Sequence, residues 1–228
     1  MHIKICGITN INDALHAVQA GATHLGIIFV EQSPRFVKLQ EAKNIVDAVE
    51  KNVIVVGVFQ NQSPETITET VVKTGIDAVQ LHGDEDPAFC RSIALRVGKA
   101  VIKTIILETD QTSEAKRTSL NDKIASYASS PDQVTYLLFD RAKGLQSGEW
   151  LPSALAQVSI LEKKKDFLLP PYFFAGGLTS GNIERVLDTI NPFGLDVASG
   201  VEASPGQKDP ALVRGFIKKA MNQAAPRV

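Results

Sequence analysis

The sequence predicts a single α/β domain, a closed (β/α)8 barrel of the TIM type. Three observations carry this. Short β-branched runs alternate with longer stretches of helical spacing, eight times in 228 residues, which is the length of a minimal barrel. No segment rich in Pro, Gly or Ser divides the chain into halves. The loop after the first run reads "CGITNIND" and lacks the G-x-G-x-x-G fingerprint of an open doubly wound sheet, the competing architecture.

Taken in order, "IKICGI" precedes "NINDALHAVQAGA", and "HLGIIFV" precedes "LQEAKNIVDAVE". "NVIVVGVF" precedes "SPETITETVVKTG", where Ser63 and Pro64 form a cap followed by proline in the first turn, and Gly75 marks the end. "DAVQLHG" precedes "DEDPAFCRSIALRVG", which stops at Gly98. "KAVIKTI" precedes a polar stretch, residues 111–129, that reads equally as a ragged helix or a long loop. "VTYLLFD" precedes "WLPSALAQVSILEKK", "PYFFAGG" precedes "TSGNIERVLDTI", and "GLDVASG" precedes "DPALVRGFIKKAMNQ". Within the helical stretches Ile45 and Val49, Ile67 and Val71, Val186 and Leu187, and Phe216 and Ile217 belong to apolar stripes that recur at three and four.

The totals exclude several classes of function. Hydrophobic residues make up 44% of the chain, charged residues 21%, and the formal net charge is -1, so no charge excess points to nucleic acid or to a membrane surface. No apolar run approaches the roughly 20 residues of a membrane helix. Cys6 and Cys90 are the only cysteines, with no CxxC spacing, so neither a disulfide framework nor a metal site is expected. The first residues read directly as a strand and turn, without a leader pattern, and the expected location is cytoplasmic.

Barrels of this type do chemistry at the carboxyl ends of their strands. Cys6 ends the first strand, Arg35 follows the second, His82 ends the fourth, Asp140 ends the sixth and Asp196 lies in the eighth. Side chains alternate along a strand. If Ile3 and Ile5 face the helices, Lys4 and Cys6 face the interior; Asp196 and Asp140 face inward by the same rule. A cation two residues from Cys6 on one face favours its thiolate. Each of these residues also has a packing or capping reading: His82 as a loop cap, Asp140 as a loop residue bonding amides, Asp196 as an ion-pair partner of Lys4. Cys90, Trp150 and Phe29 read as core. "AGGLTSGN" and "ASGVEASPG" follow strands seven and eight, where barrels commonly bind phosphate. The amides of Gly177, Leu178, Gly200 and Val201 are the candidates.

"KICGIT", "GIIFVEQSPRFV", "VGVF", "VQLHGDE", "LLFD", "AGGLTSGNI" and "LDVASGVE…PGQKD" occur in an order and spacing that closely resembles the phosphoribosylanthranilate isomerases of tryptophan biosynthesis, from about Lys4 to Ile217. The resemblance implies an Amadori rearrangement of a small phosphorylated substrate, with Cys6 as general base and Asp140 as general acid. It implies that Arg35 helps hold the anthranilate and that His82 and Asp196 lie near the substrate. It implies no cofactor and no metal, in a monomer or homodimer without nucleic-acid or membrane partners. One departure stands out. The family's glycine-rich stretch after strand six is replaced by "DRAKGLQSGEW", shorter and without a glycine pair. That leaves two alternatives: another phosphosugar isomerase or epimerase, and a slow or non-catalytic phosphosugar-binding barrel.

Overall fold

The computed structural model describes residues 1–49, 53–108, 114–128, 134–142, 147–164 and 169–224. Strands and helices alternate: β1 (His2–Cys6), α1 (Ile11–Gln19), β2 (His24–Ile28), α2 (Leu39–Val49), β3 (Ile54–Phe59), α3 (Pro64–Thr74), β4 (Ala78–Leu81), α4 (Pro87–Val97), β5 (Ala100–Leu107), α5 (Glu114–Ala128), β6 (Tyr136–Arg141), α6 (Ser147–Lys163), β7 (Tyr172–Phe174), α7 (Ile183–Thr189) and β8 (Gly194–Val197). A 3-10 turn (Ser199–Val201) then leads into a small hairpin of β9 (Glu202–Ser204) and β10 (Gln207–Lys208), and α8 (Pro210–Ala224) ends the order. The strands β1 to β8 pair in parallel, and β1 pairs with β8, so the sheet closes into the expected barrel. Closure rules out the open sheet.

Local chemistry sets the element ends. The Ser63 side chain accepts from the Thr66 amide and Pro64 opens α3, while Gly75 closes it with φ 76°, a left-handed conformation that costs glycine nothing. Asp86 caps α4 in the same way through the Phe89 amide, and Gly98 ends it. The polar stretch after β5 contains α5, whose buried Leu120, Ile124 and Tyr127 recur at four and three.

Alternation divides each strand between two cores. Ile3, Ile5, Leu25, Ile27, Leu195 and Val197 face outward into the layer under the helices. Val56, Ala78, Ile102, Leu138 and Phe173 fill the barrel interior, with Tyr136 and Phe193 packed against them. This apolar plug occupies one end of the barrel. The inward positions of the other end carry the polar side chains Lys4, Cys6, Gln80, Thr104, Asp140 and Asp196, beside the apolar Ile28 and Val58. Such an arrangement leaves space only at the carboxyl ends of the strands, where the loops rise.

Candidate active site

A cavity of about 300 Å³ opens there, lined by Cys6, Arg35, Gln80, His82, Asp140, Asp196 and the backbone of both glycine-bearing loops. The β1–β2 register sets Gly26 opposite Cys6. A Cβ at Gly26 would stand 2.7 Å from Cys6 Sγ and 3.1 Å from Lys4 Nζ, so glycine leaves the room that thiol and ammonium share. Lys4 is fully buried and donates to Asp196 Oδ2 at 3.0 Å, across the β1–β8 register that pairs these two residues. Burial works against the Lys4 charge, but Asp196 and Cys6 beside it outweigh this and hold its pKa above the ordinary value. Asp196 Oδ1 is buried and has no hydrogen-bond partner among the described residues.

Lys4 does favour the Cys6 thiolate, as its place on the same face implies, but the net lowering of the thiol's pKa expected from it is not found: burial is the larger influence and pushes the Cys6 thiol up. Lys4 opposes the rise, yet its charge is paired with Asp196, whose carboxylate adds to it. Burial of an anion therefore wins over a cation that is already spoken for.

Asp140 is the complementary case. Burial raises its pKa to about 7, and the Arg141 amide, donating to Oδ1 at 2.8 Å, offsets only part of this. His82 Nε2 lies 3.6 Å from Asp140 Oδ2. On its other side, His82 Nδ1 meets Gln80 Nε2 at 2.9 Å and Thr104 Oγ1 at 3.1 Å.

Arg35 reaches the cavity from the loop after β2. It packs over Gly7, whose φ of 76° and whose missing Cβ, which would stand 2.4 Å from Arg35 Cδ, both require glycine directly after Cys6. Its Nε and Nη2 donate to Glu202 Oε1 and Oε2 at 2.8 and 2.6 Å. Lys208 Nζ donates to the same Glu202 Oε1 at 2.8 Å and to the Ala198 carbonyl at 3.2 Å.

The phosphate candidates separate. Gly177, Leu178 and Gly200 line the cavity, with Gly176 and Ser199 beside them. Asn182 holds the loop after β7, donating to the Gly177 carbonyl and accepting from the Thr179 amide, both at 2.9 Å. A Cβ at Gly200 would stand 1.8 Å from the Leu178 carbonyl oxygen, so the two loops touch. Val201 stands apart from these. Its side chain is buried, it does not line the cavity, and its amide turns back to the Ala198 carbonyl at 3.4 Å, closing the 3-10 turn.

Packing readings hold elsewhere. Cys90 is buried in α4. Trp150 is buried and donates its Nε1 to the Leu107 carbonyl at 2.8 Å, and Phe29 stacks on Phe59. Sequence reasoning missed Gln80, Glu202 and Lys208. Gln80 was signalled by standing two residues before His82 on an inward face. The altered loop after β6 falls mainly on residues 143–146, outside the described residues. Among the described residues no cluster of His, Cys, Asp or Glu is arranged to hold a metal, and no helix is long and apolar enough to cross a membrane.

Residues 3–219 match the family model for N-(5'-phosphoribosyl)anthranilate (PRA) isomerase. The N-(5'-phosphoribosyl)anthranilate isomerase of Geobacter metallireducens is 38% identical over 220 residues, covering 96% of this chain and 98% of its own. That of Thermotoga neapolitana is 34% identical over 228 residues, covering 96% and 98%. The crystal structure of the Thermotoga maritima isomerase superposes with a TM-score of 0.81 at 32% identity, covering 97% of this chain and 99% of that one. A phosphoribosylanthranilate isomerase in complex with reduced 1-(o-carboxyphenylamino)-1-deoxyribulose 5-phosphate superposes with a TM-score of 0.75 at the same identity and coverage. With matches that run nearly from end to end, on a barrel whose polar mouth has the geometry described, the chain belongs to the phosphoribosylanthranilate isomerase family.

Proposed function

We propose that this chain converts N-(5'-phosphoribosyl)anthranilate to 1-(2-carboxyphenylamino)-1-deoxyribulose 5-phosphate, with Asp140 as general acid and Cys6 as general base. One observation carries the assignment of roles. A carboxyl whose pKa stands near 7 and a thiol line the same cavity, Asp140 from β6 and Cys6 from β1. A carboxyl with that pKa is about half protonated at pH 7 and more so below it, so it has a proton to give.

Asp140 gives that proton to the ribose ring oxygen as the bond from this oxygen to C1 breaks. The nitrogen lone pair takes up the vacated position at C1, and an iminium forms. Its positive charge makes the proton on C2 acidic. Cys6, as thiolate, takes this proton, and the electron pair of the C2–H bond becomes the double bond of an enolamine. Lys4 and the iminium are the two positive charges that favour the thiolate against burial. The enolamine then tautomerises: C1 gains a proton and the C2 hydroxyl loses one, leaving the ketone. Over a full cycle Asp140 recovers its proton and Cys6 releases the one it took, so the protein ends as it began.

The amides of Gly177, Leu178 and Gly200 are placed to receive the phosphate, and Arg35 the anthranilate carboxylate. The buried Oδ1 of Asp196 suits a sugar hydroxyl. Generating the substrate in situ and following loss of its fluorescence tests the assignment. Cys6→Ala and Asp140→Asn should each lower kcat by about a hundredfold or more. Either variant turning over like the wild type would reject the corresponding role.

A further inference from the structure

Arg35 does not stand alone at the mouth of the barrel. A guanidinium has two forked faces: a side edge made by Nε and one terminal nitrogen, and an end edge made by both terminal nitrogens. Glu202 occupies the side edge of Arg35 with both carboxylate oxygens, at 2.8 and 2.6 Å. The Glu202 side chain is 4% exposed and that of Arg35 19%, so the contact is shielded while Arg35 still lines the cavity. The geometry leaves the end edge as the face that can meet a second planar carboxylate.

Two further contacts hold Glu202 itself, and a third anchors its partner. Lys208 Nζ donates to Oε1 at 2.8 Å and the Gly206 amide donates to the same oxygen at 3.3 Å, while the Lys208 backbone amide donates to Asp13 of α1 at 2.8 Å. Glu202 begins β9 and Lys208 ends β10, so the hairpin after β8 is a strut between α1 and the loop after β2. Thr9, in the loop after β1, donates to the Gly206 carbonyl at 2.5 Å and pins the hairpin tip. Arg35 is thus gripped on one edge by a carboxylate with further donors of its own, and Gly7 lies against its aliphatic stem. Arg35 and Lys208 are two cations that share Glu202 as an anionic partner.

We infer that Glu202 is a positioning residue for substrate selection: by holding the side edge of Arg35 it presents the end edge to the substrate carboxylate, and so sets affinity for the anthranilate half of the ligand independently of the phosphate half. The inference rests on the proposed function in taking that carboxylate as the partner of Arg35. It makes a demand that simple electrostatics contradicts. Glu202→Gln removes a negative charge beside an anion site, and a purely electrostatic role would tighten binding. A positioning role weakens it.

Calorimetric binding to the complete protein separates these readings without relying on turnover. The probes are reduced 1-(o-carboxyphenylamino)-1-deoxyribulose 5-phosphate and ribose 5-phosphate, which has the phosphate but no carboxylate. Glu202→Gln should weaken the carboxylate-bearing probe about tenfold and change ribose 5-phosphate by less than about twofold. In an Arg35→Ala background the same substitution should change neither, because the residue through which it acts is gone. Arg35→Lys keeps the charge but not the fork and leaves Glu202 in place. It should lose nearly as much affinity as Arg35→Ala, and it decides the matter if Glu202→Gln does not fold. Tighter or unchanged binding of the carboxylate-bearing probe by Glu202→Gln, equal losses for both probes, an undiminished effect without Arg35, or wild-type affinity in Arg35→Lys would each overturn the inference. A wild-type protein that binds in this pattern but does not turn over would instead reject the proposed reaction.

Discussion

Asp140 ends β6 at the polar end of the barrel, and the same loss of solvent that keeps its proton makes its ionised form costly to fold around. An ordinary aspartate titrates near 3.8, and this one near 7. Between those values the folded protein binds a proton that the unfolded chain releases. Stability associated with Asp140 is therefore complete below about pH 4 and is lost as pH rises through about 7 and above, by on the order of 4 kcal/mol. Asp140→Asn carries no such charge. Chemical denaturation at a series of pH values should show the variant more stable than the wild type at pH 8, with the gap closing near pH 4. A gap that does not vary with pH would mean that Asp140 is not buried as described. Cys6 shows what a sequence hides at this scale. The presence of Lys4 on the same face was legible from alternation, and so was its pull toward thiolate. Which of burial and charge prevails depends on depth and on the commitment of Lys4 to Asp196, and neither is written in the spacing.

At the scale of strands and helices, side-chain period and end signals made most of the architecture legible. Alternation placed Lys4, Cys6, Asp140 and Asp196 inward, and Ser63, Gly75 and Gly98 stand at helix ends as read. The helix α5 was not legible because its described apolar residues are few, with Leu120, Ile124 and Tyr127 set among polar ones. Glu202 and Lys208 escaped for a different reason. Their segment read as a source of backbone amides, and only the fold-back of β9 on β10 buries both side chains against Arg35. In the same segment the Val201 amide turns back to the Ala198 carbonyl within the 3-10 turn, a local bond that spacing alone does not reveal. Register has its own consequence. Gly26 of β2 faces Cys6 of β1, and any Cβ there meets Sγ, the Cys6 Cα and Lys4 Nζ within 3.1 Å. Gly26→Ala should therefore lower kcat by about tenfold or more through displacement of the thiol, with an unchanged far-ultraviolet circular dichroism spectrum. Wild-type kcat in this variant would show that the strand pair adjusts without moving the thiol.

The molecule as a whole is organised along the barrel axis, with an apolar plug at one end and chemistry at the other. His24 belongs to the plug end. It stands edge-on to Phe173 with ring centroids 5.2 Å apart, and its Nδ1 meets Thr23 Oγ1 at 2.8 Å. Burial, with the nearby charges of His2 and Lys4, lowers its pKa to about 4. The unfolded chain takes up this proton near pH 6.5, and the folded one does not. Stability tied to His24 is then full above about pH 6.5 and falls as pH drops toward 4, by on the order of 3 kcal/mol, opposite in direction to the Asp140 effect over the same window. Comparing wild type with His24→Gln isolates it. The stability difference should shift toward the variant as pH falls from 7 to 4, and a constant difference would exclude a buried neutral imidazole.

The pairing of β1 with β8 has a bearing on biosynthesis. Lys4 and Asp196 are 192 positions apart in the chain, yet the barrel closes by setting them side by side. A nascent polypeptide emerging from the ribosome therefore carries its thiol from the outset and lacks the carboxylate beside it until nearly the whole chain has been made. Until then β1 and the newest strand both present bare edges, the surfaces on which incomplete chains aggregate. Competence in this protein is conferred late and all together, and a prematurely terminated product holds no partial version of it.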